Sequence, residues 1–229
     1  MIEVLILCGG LGTRYNTSKK KYLKPLVKIG NEYLIKKIMK IYTTQADCKF
    51  FLLGGYKYNY LKSVINKNFK NFNVEVLNTG LMTNTAGRLK IASKYIANDT
   101  FCVTYGDSLA NFNLLKCLKL KKKNNIIINV YEYDFEYGLL NLDKNRIKSF
   151  DEKKKLAING GFYILDKDIF KFIKSKSDSF EAKTLPKILK TKKKLICQKV
   201  TKWHPMDTIQ NKKKLEIIIK KDKNYFLKK

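Results

Sequence analysis

The chain has 229 residues, 45% of them hydrophobic, with 48 Lys+Arg against 19 Asp+Glu and a formal net charge of +29. That is enough apolar material for a packed core, and no apolar run reaches the roughly 18 residues that argue for a membrane span, so no membrane partner is expected. The lysine runs at 19–21, 121–123, 153–155, 192–194 and 212–214 are spread along the chain without a nucleic-acid motif. They are read as a solvated surface whose field attracts anionic substrates, not as a nucleic-acid interface.

Met1-Ile2-Glu3-Val4 opens directly into a strand pattern with an acid at position 3, unlike a secretory signal. Strand-like runs at 4–8, 50–54, 74–77, 101–105 and 126–130 alternate with helical patterns at 34–43, 58–66, 88–96 and 114–122. This alternation predicts an α/β fold, a mostly parallel sheet with helices on both faces, and ligands bound beyond the carboxyl ends of the strands. After residue 130 the pattern changes. Short strands at 137–142, 146–151 and 161–165, with a turn at Asp143-Lys144-Asn145, suggest antiparallel additions. Helical patterns at 167–173 and 181–189, a strand at 195–200 and a last helix starting near Thr208 follow. With no linker and no repeat, one domain over 1–229 is expected, divided into halves at 1–130 and 131–229. The five cysteines (Cys8, Cys48, Cys102, Cys117, Cys197) are odd in number and sit mostly among apolar residues. They fit reduced thiols in a cytoplasmic protein better than a disulfide framework or a zinc site.

The first strand runs into Leu7-Cys8-Gly9-Gly10-Leu11-Gly12-Thr13-Arg14, and Lys24-Pro25 follows ten residues later. Glycines here let the backbone approach a ligand and turn several N–H groups into one concavity, which suits phosphate oxygens. Arg14 and Lys24 add positive charge. Neither a P-loop nor the GxGxxG dinucleotide fingerprint is present. Arginine occurs at positions 14, 88 and 146 alone in a chain rich in lysine, which suggests sites that need a planar fork.

Gly106-Asp107 follows the strand at 101–105. Asp207 lies in Trp203-His204-Pro205-Met206-Asp207-Thr208, which holds the sole Trp and the sole His. Two aspartates from distant segments form the hard-oxygen donor set that holds Mg²⁺ with phosphate and water, although either could instead be a turn or helix cap. Thr85-Ala86-Gly87-Arg88 reads as a helix start able to bind an anion or a base edge, or as a capped helix with a solvent-facing arginine. Glu152-Lys153 could hold sugar hydroxyls and a monophosphate, and Asn159-Gly160-Gly161 reads as a turn into a strand.

Taken in order, LCGGLGTR, LKPLVKIGN, LGGYK, NTGLMTNTAGRLK, TYGDS, IKSFDEK, INGGFYIL and WHPMDT resemble the glucose-1-phosphate cytidylyltransferase branch of the sugar-phosphate nucleotidyltransferases over nearly the whole chain. The resemblance implies a Rossmann-like, mostly parallel mixed sheet flanked by helices, the GT-A-like fold of nucleotide-diphospho-sugar transferases. It implies a Mg²⁺-dependent enzyme that joins CTP to a sugar 1-phosphate and releases pyrophosphate, with other nucleotides or phospho- and phosphonate acceptors as alternatives. A regulatory or nucleic-acid-binding protein on this fold would have no need of the carboxylate pair.

By that resemblance Leu7, Cys8, Gly9, Gly10, Leu11, Gly12, Thr13, Arg14, Lys24, Thr85, Gly87, Arg88 and Gly106 face the nucleotide. Arg14, Lys24 and Asp107 carry the chemistry, and Asp107 with Asp207 holds the metal. Tyr137, Glu152, Lys153, Asn159 and Gly160 frame the acceptor. The sequence departs from the family pattern at Tyr22-Leu23-Lys24-Pro25-Leu26, at Thr85-Ala86-Gly87-Arg88 and at Glu136-Tyr137-Gly138-Leu139-Leu140. It also lacks the family's long insertion, having only residues 68–73 there, and the loop after Lys153 is short. A homo-oligomer is left open.

Overall fold

The computed structural model describes residues 1–12, 15, 22–152 and 154–227. Its strands are β1 (Ile2–Leu7), β2 (Lys28–Ile29), β3 (Glu32–Tyr33), β4 (Cys48–Gly54), β5 (Asn73–Asn78), β6 (Thr100–Tyr105), β7 (Ser108–Ala110), β8 (Asn125–Asp134), β9 (Leu139–Asp143), β10 (Arg146–Asp151), β11 (Lys155–Asp166), β12 (Lys194–Val200) and β13 (Trp203–Pro205). The helices are α1 (Leu34–Thr43), α2 (Tyr58–Asn68), α3 (Thr85–Ala92), α4 (Leu114–Leu120), α5 (Leu185–Leu189) and α6 (Ile209–Lys221).

A seven-stranded sheet runs β12-β8-β11-β6-β1-β4-β5. Strands β6, β1, β4 and β5 are parallel neighbours, while β11 lies antiparallel between β6 and β8. Both faces of the sheet are covered, so its strands read as continuous apolar runs rather than alternating ones. Val4 and Ile6 of β1, Phe50 and Leu52 of β4, and Phe162 and Ile164 of β11 pack with α1, α2, α4 and α6 on one face. Leu5, Leu7, Phe51, Leu53, Tyr163 and Leu165 pack with α3, α5 and a 3-10 turn at Lys167–Phe172 on the other. The expected α/β sheet with helices on both faces is what forms.

Several local expectations need correction. Asn159-Gly160-Gly161 is a bulge inside the twelve-residue strand β11, where the pairing with β8 shifts between Asn159 and Tyr163 and Gly161 adopts φ +78°. The helix expected at 88–96 begins at Thr85, with the Asn84 side chain accepting the Thr85 N–H, and tightens into a 3-10 turn over Ser93–Tyr95. The pattern at 181–189 is a π-helical turn at Phe180–Thr184 followed by α5, with Pro186 in the first turn of α5. Thr208 caps α6 through a capping box with Asn211. The pairing of β7 with β13 left no apolar period to read, because each strand is only three residues long. Strands β9 and β10 form a separate two-stranded ribbon.

Candidate active site

The carboxyl ends of β1 and β6 meet where Gly106 donates its N–H to the Leu7 carbonyl at 3.1 Å. A Cβ on Gly106 would sit 2.9 Å from that carbonyl oxygen, so only glycine permits the approach. Beyond it lies a cavity of about 270 Å³ lined by Leu7, Cys8, Gly9, Gly10, Gly12, Lys24, Thr85, Arg88, Tyr105, Gly106 and Asp107, among others. The glycine loop, the start of α3 and the end of β6 are thereby brought to one crevice. Leu11 is half exposed beside it. Thr13 and Arg14 lie outside the described residues, as does Lys153.

Lys24 sits in a 3-10 turn at Lys24–Leu26, and its side chain is buried. Its ammonium lies 2.6 Å from Asp207 Oδ1 and 3.4 Å from Asp107 Oδ2. The two carboxylates, a hundred residues apart in sequence, therefore converge on one cation. The ladder between β7 and β13 makes this possible: Pro205 pairs with Ser108, and Met206 donates its N–H to the Asp107 carbonyl at 2.8 Å. Among the described residues no cluster of three or more His, Cys, Asp or Glu side chains is found. A cation held by Asp107 and Asp207 would draw its remaining ligands from phosphate and water, which is the habit of Mg²⁺ and fits the donor set.

Arg88 is not solvent-facing. It is buried, and its guanidinium donates to the carbonyls of Gly9 (3.0 Å), Gly54 (3.2 Å), Gly80 (2.9 Å) and Leu81 (3.4 Å) and to Thr79 Oγ1 (2.6 Å). It thus ties the loops after β1, β4 and β5 together behind the crevice. Cys8 is buried there too. Burial, and secondarily the negative charge of Asp107, push its thiol far above the ordinary range, so it stays protonated and inert. Gly87 lies where α3 meets the backbone, since a Cβ there would be 2.3 Å from the Lys176 carbonyl oxygen.

At the bulge of β11, Asn159 Oδ1 accepts the Gly161 N–H at 3.0 Å, and its amide nitrogen donates to the Tyr163 hydroxyl. Tyr163 donates in turn to Glu181 Oε1 at 3.4 Å, while Thr85 donates to Glu181 Oε2 at 3.3 Å. Burial raises the Tyr163 phenol to about 12 and holds the Glu181 carboxyl above its usual range. Glu181 therefore joins the start of α3 to the bulge of β11. Sequence reasoning missed it, because a lone acid in a helical pattern carries no motif. The Gly160 carbonyl accepts the Trp203 indole N–H at 3.0 Å. Glu152 and Tyr137 are exposed at the base of the ribbon and do not line the cavity.

A doubly covered sheet with a glycine loop, and a lysine set between two carboxylates at the carboxyl ends of its strands, defines an α/β protein built to handle phosphorylated ligands. A family model for nucleotidyl transferases matches residues 3–212, and the chain belongs to that family. A probable glucose-1-phosphate cytidylyltransferase of Bacillus subtilis (strain 168) is 30% identical over 236 residues, covering 92% of this chain and 93% of the relative. A D-glycero-α-D-manno-heptose 1-phosphate guanylyltransferase of Campylobacter jejuni is 32% identical over 194 residues, covering 79% and 83%. The crystal structure of HddC from Yersinia pseudotuberculosis superposes with a TM-score of 0.74 at 26% identity, over 96% of this chain and 100% of that one. The chain is a sugar-phosphate nucleotidyltransferase similar to the glucose-1-phosphate cytidylyltransferases. No helix among the described residues is long and apolar enough to cross a membrane.

Proposed function

We propose that this enzyme is a Mg²⁺-dependent cytidylyltransferase that joins CTP to a sugar 1-phosphate, glucose 1-phosphate or a relative, giving a CDP-sugar and pyrophosphate. The observation that carries the reading is the Lys24 ammonium between Asp107 and Asp207 at the foot of the glycine loop. The acceptor phosphate oxygen attacks the α-phosphorus in line with the departing pyrophosphate; one P–O bond forms as the other breaks. The nucleophile is already anionic, so no general base is needed, and catalysis rests on positioning and charge stabilisation. Backbone N–H groups of Gly9, Gly10 and Gly12 orient the triphosphate, and Lys24 and Arg14 offset the charge that builds on the phosphoryl oxygens. Mg²⁺ held by Asp107 and Asp207 supplies Lewis-acid polarisation of phosphate oxygens when bound. The product fits cytoplasmic supply of sugars for surface polysaccharide.

A second reading, GTP in place of CTP, is favoured by the guanylyltransferase relative and by the likeness, at 27% identity and a TM-score of 0.73, to HddC from Yersinia pseudotuberculosis in its complex with GMP-PN. Pyrophosphate release from CTP, GTP, UTP and ATP against a panel of phosphorylated acceptors tests both. The highest kcat/KM with CTP is expected, because a site built for the cytosine amine leaves buried polar groups unpaired with other bases. GTP outcompeting CTP with every acceptor would replace the cytidylyl reading. No release with any nucleotide would overturn the chemistry.

A further inference from the structure

The Lys24 ammonium stands where a divalent ion would have to sit. It lies 2.6 Å from Asp207 Oδ1 and 3.4 Å from Asp107 Oδ2, and these side chains are the donor pair of the proposed Mg²⁺ site. Two carboxylates gathered on one point repel each other unless a cation lies between them. An ion bonded to one oxygen of each at about 2.1 Å would come within a few ångströms of the ammonium, where two cations repel strongly in a half-buried site. The seat therefore holds one of them at a time.

The lysine also has somewhere to go. Its backbone is pinned in the 3-10 turn at Lys24–Leu26, with Pro25 in that turn and Leu23 and Leu26 buried on either side. Pro25 in turn abuts Gly106, where a Cβ would lie 3.0 Å from the proline ring. The four-carbon stem beyond this anchor is flexible. Lys24 lines the cavity at the glycine loop, so rotation of the stem carries its ammonium off Asp207 and into that cavity.

We propose that Lys24 is a stand-in for the metal ion. In the free enzyme its ammonium fills the seat between Asp107 and Asp207 and keeps a divalent cation out. A nucleoside triphosphate in the cavity draws the ammonium to its phosphate oxygens and leaves the two carboxylates to the cation it brings. Metal is admitted with the nucleotide and not before it. The hand-over to the triphosphate rests on the proposed function; the competition between Lys24 and the ion does not.

Binding of Mn²⁺ in the absence of nucleotide, followed by electron paramagnetic resonance, tests the competition. Lys24→Met should bind the ion at least roughly tenfold more tightly than the wild type, because the competing charge is gone from the seat. Lys28→Met removes an exposed lysine from the same stretch and should bind Mn²⁺ as the wild type does. In EDTA Lys24→Met should melt below the wild type, and Mg²⁺ should raise its Tm by more than it raises that of the wild type. Should the variant fail to fold, the wild type decides. Its Lys24 side-chain ¹⁵N–H signal, slow to exchange while the ammonium is held by the carboxylates, should shift or vanish as Mg²⁺ saturates the protein. In EDTA, CTP should move the same signal. A Lys24→Met protein that binds Mn²⁺ no more tightly than the wild type, a Lys28→Met protein that gains as much, or a Lys24 signal unmoved by saturating Mg²⁺ would each overturn the proposal. CTP that binds and leaves the signal in place would overturn the hand-over. If no nucleotide yields pyrophosphate, the activity reading fails, and the metal titrations, made without nucleotide, still decide the competition.

Discussion

Replacing Gly9 by alanine sets a methyl group against a charged group that has no room to retreat. A Cβ there would lie 2.1 Å from Arg88 Nη1 and 2.3 Å from its Cζ, so the guanidinium must withdraw by more than an ångström. It is held by four carbonyls and one hydroxyl, and the bonds to Thr79 Oγ1 and the Gly80 carbonyl are the short ones. Losing two charge-assisted hydrogen bonds at about 1.5–3 kcal/mol each gives a destabilisation of about 3–6 kcal/mol. In a domain of this size each kcal/mol shifts Tm by about 2–4 °C, so Gly9→Ala should melt at least roughly 6 °C below the wild type. Gly10 is the control. A Cβ there meets nothing within 4 Å, so Gly10→Ala should melt close to the wild type and lose activity instead, because its methyl enters the cavity wall. Thermal unfolding followed by circular dichroism, without ligand, reads both. In an Arg88→Ala background, adding Gly9→Ala should cost little, since the colliding group is gone. A Gly9→Ala protein that melts with the wild type, or a cost undiminished in the Arg88→Ala background, would refute the brace.

Asp107→Asn and Asp207→Asn should each lower turnover by at least roughly a hundredfold, with the double variant no worse than either single one if the carboxylates share an ion. Steady-state pyrophosphate release at saturating Mg²⁺ checks this, and near-normal turnover in either single variant would contradict it. His204, the chain's one histidine, is held below its ordinary 6.5 chiefly by burial. Between its folded-state value and 6.5 the unfolded chain binds a proton that the native state does not. Stability should therefore fall as pH drops through 6.5 and level off below the folded value. His204→Gln should flatten that part of a Tm–pH profile measured above the carboxylate range, and an unchanged slope would count against the assignment.

The sequence carried the sheet because each central strand is buried on both faces and reads as an unbroken apolar run, and the bounds of α1 were legible to the residue. The glycine loop and Lys24 were legible for a related reason: their chemistry is compressed into neighbouring residues. What stayed hidden depends on long-range pairing. Nothing local to Asp107 or Asp207 states that both end on Lys24, since that follows from two three-residue strands too short to show a period. Arg88 could be read as a ligand contact or a surface residue, but its role behind the loops becomes visible once four segments are folded together. A turn and the bulge at Gly161 share the same glycine signal, so the sequence alone does not separate them.

The stitch between β7 and β13 also sets when the site can exist. Chains leave the ribosome from the N-terminus, and the glycine loop, Lys24 and Asp107 all emerge within the first half of synthesis. Asp207 and the strand that delivers it come roughly a hundred residues later. A nascent chain can assemble β1, β4, β5 and β6 early, yet it holds one carboxylate of the pair until residues 203–207 fall into register with 108–110. All seven strands of the main sheet have emerged by then, so the carboxylate pair around Lys24 is the last part of the crevice to be completed.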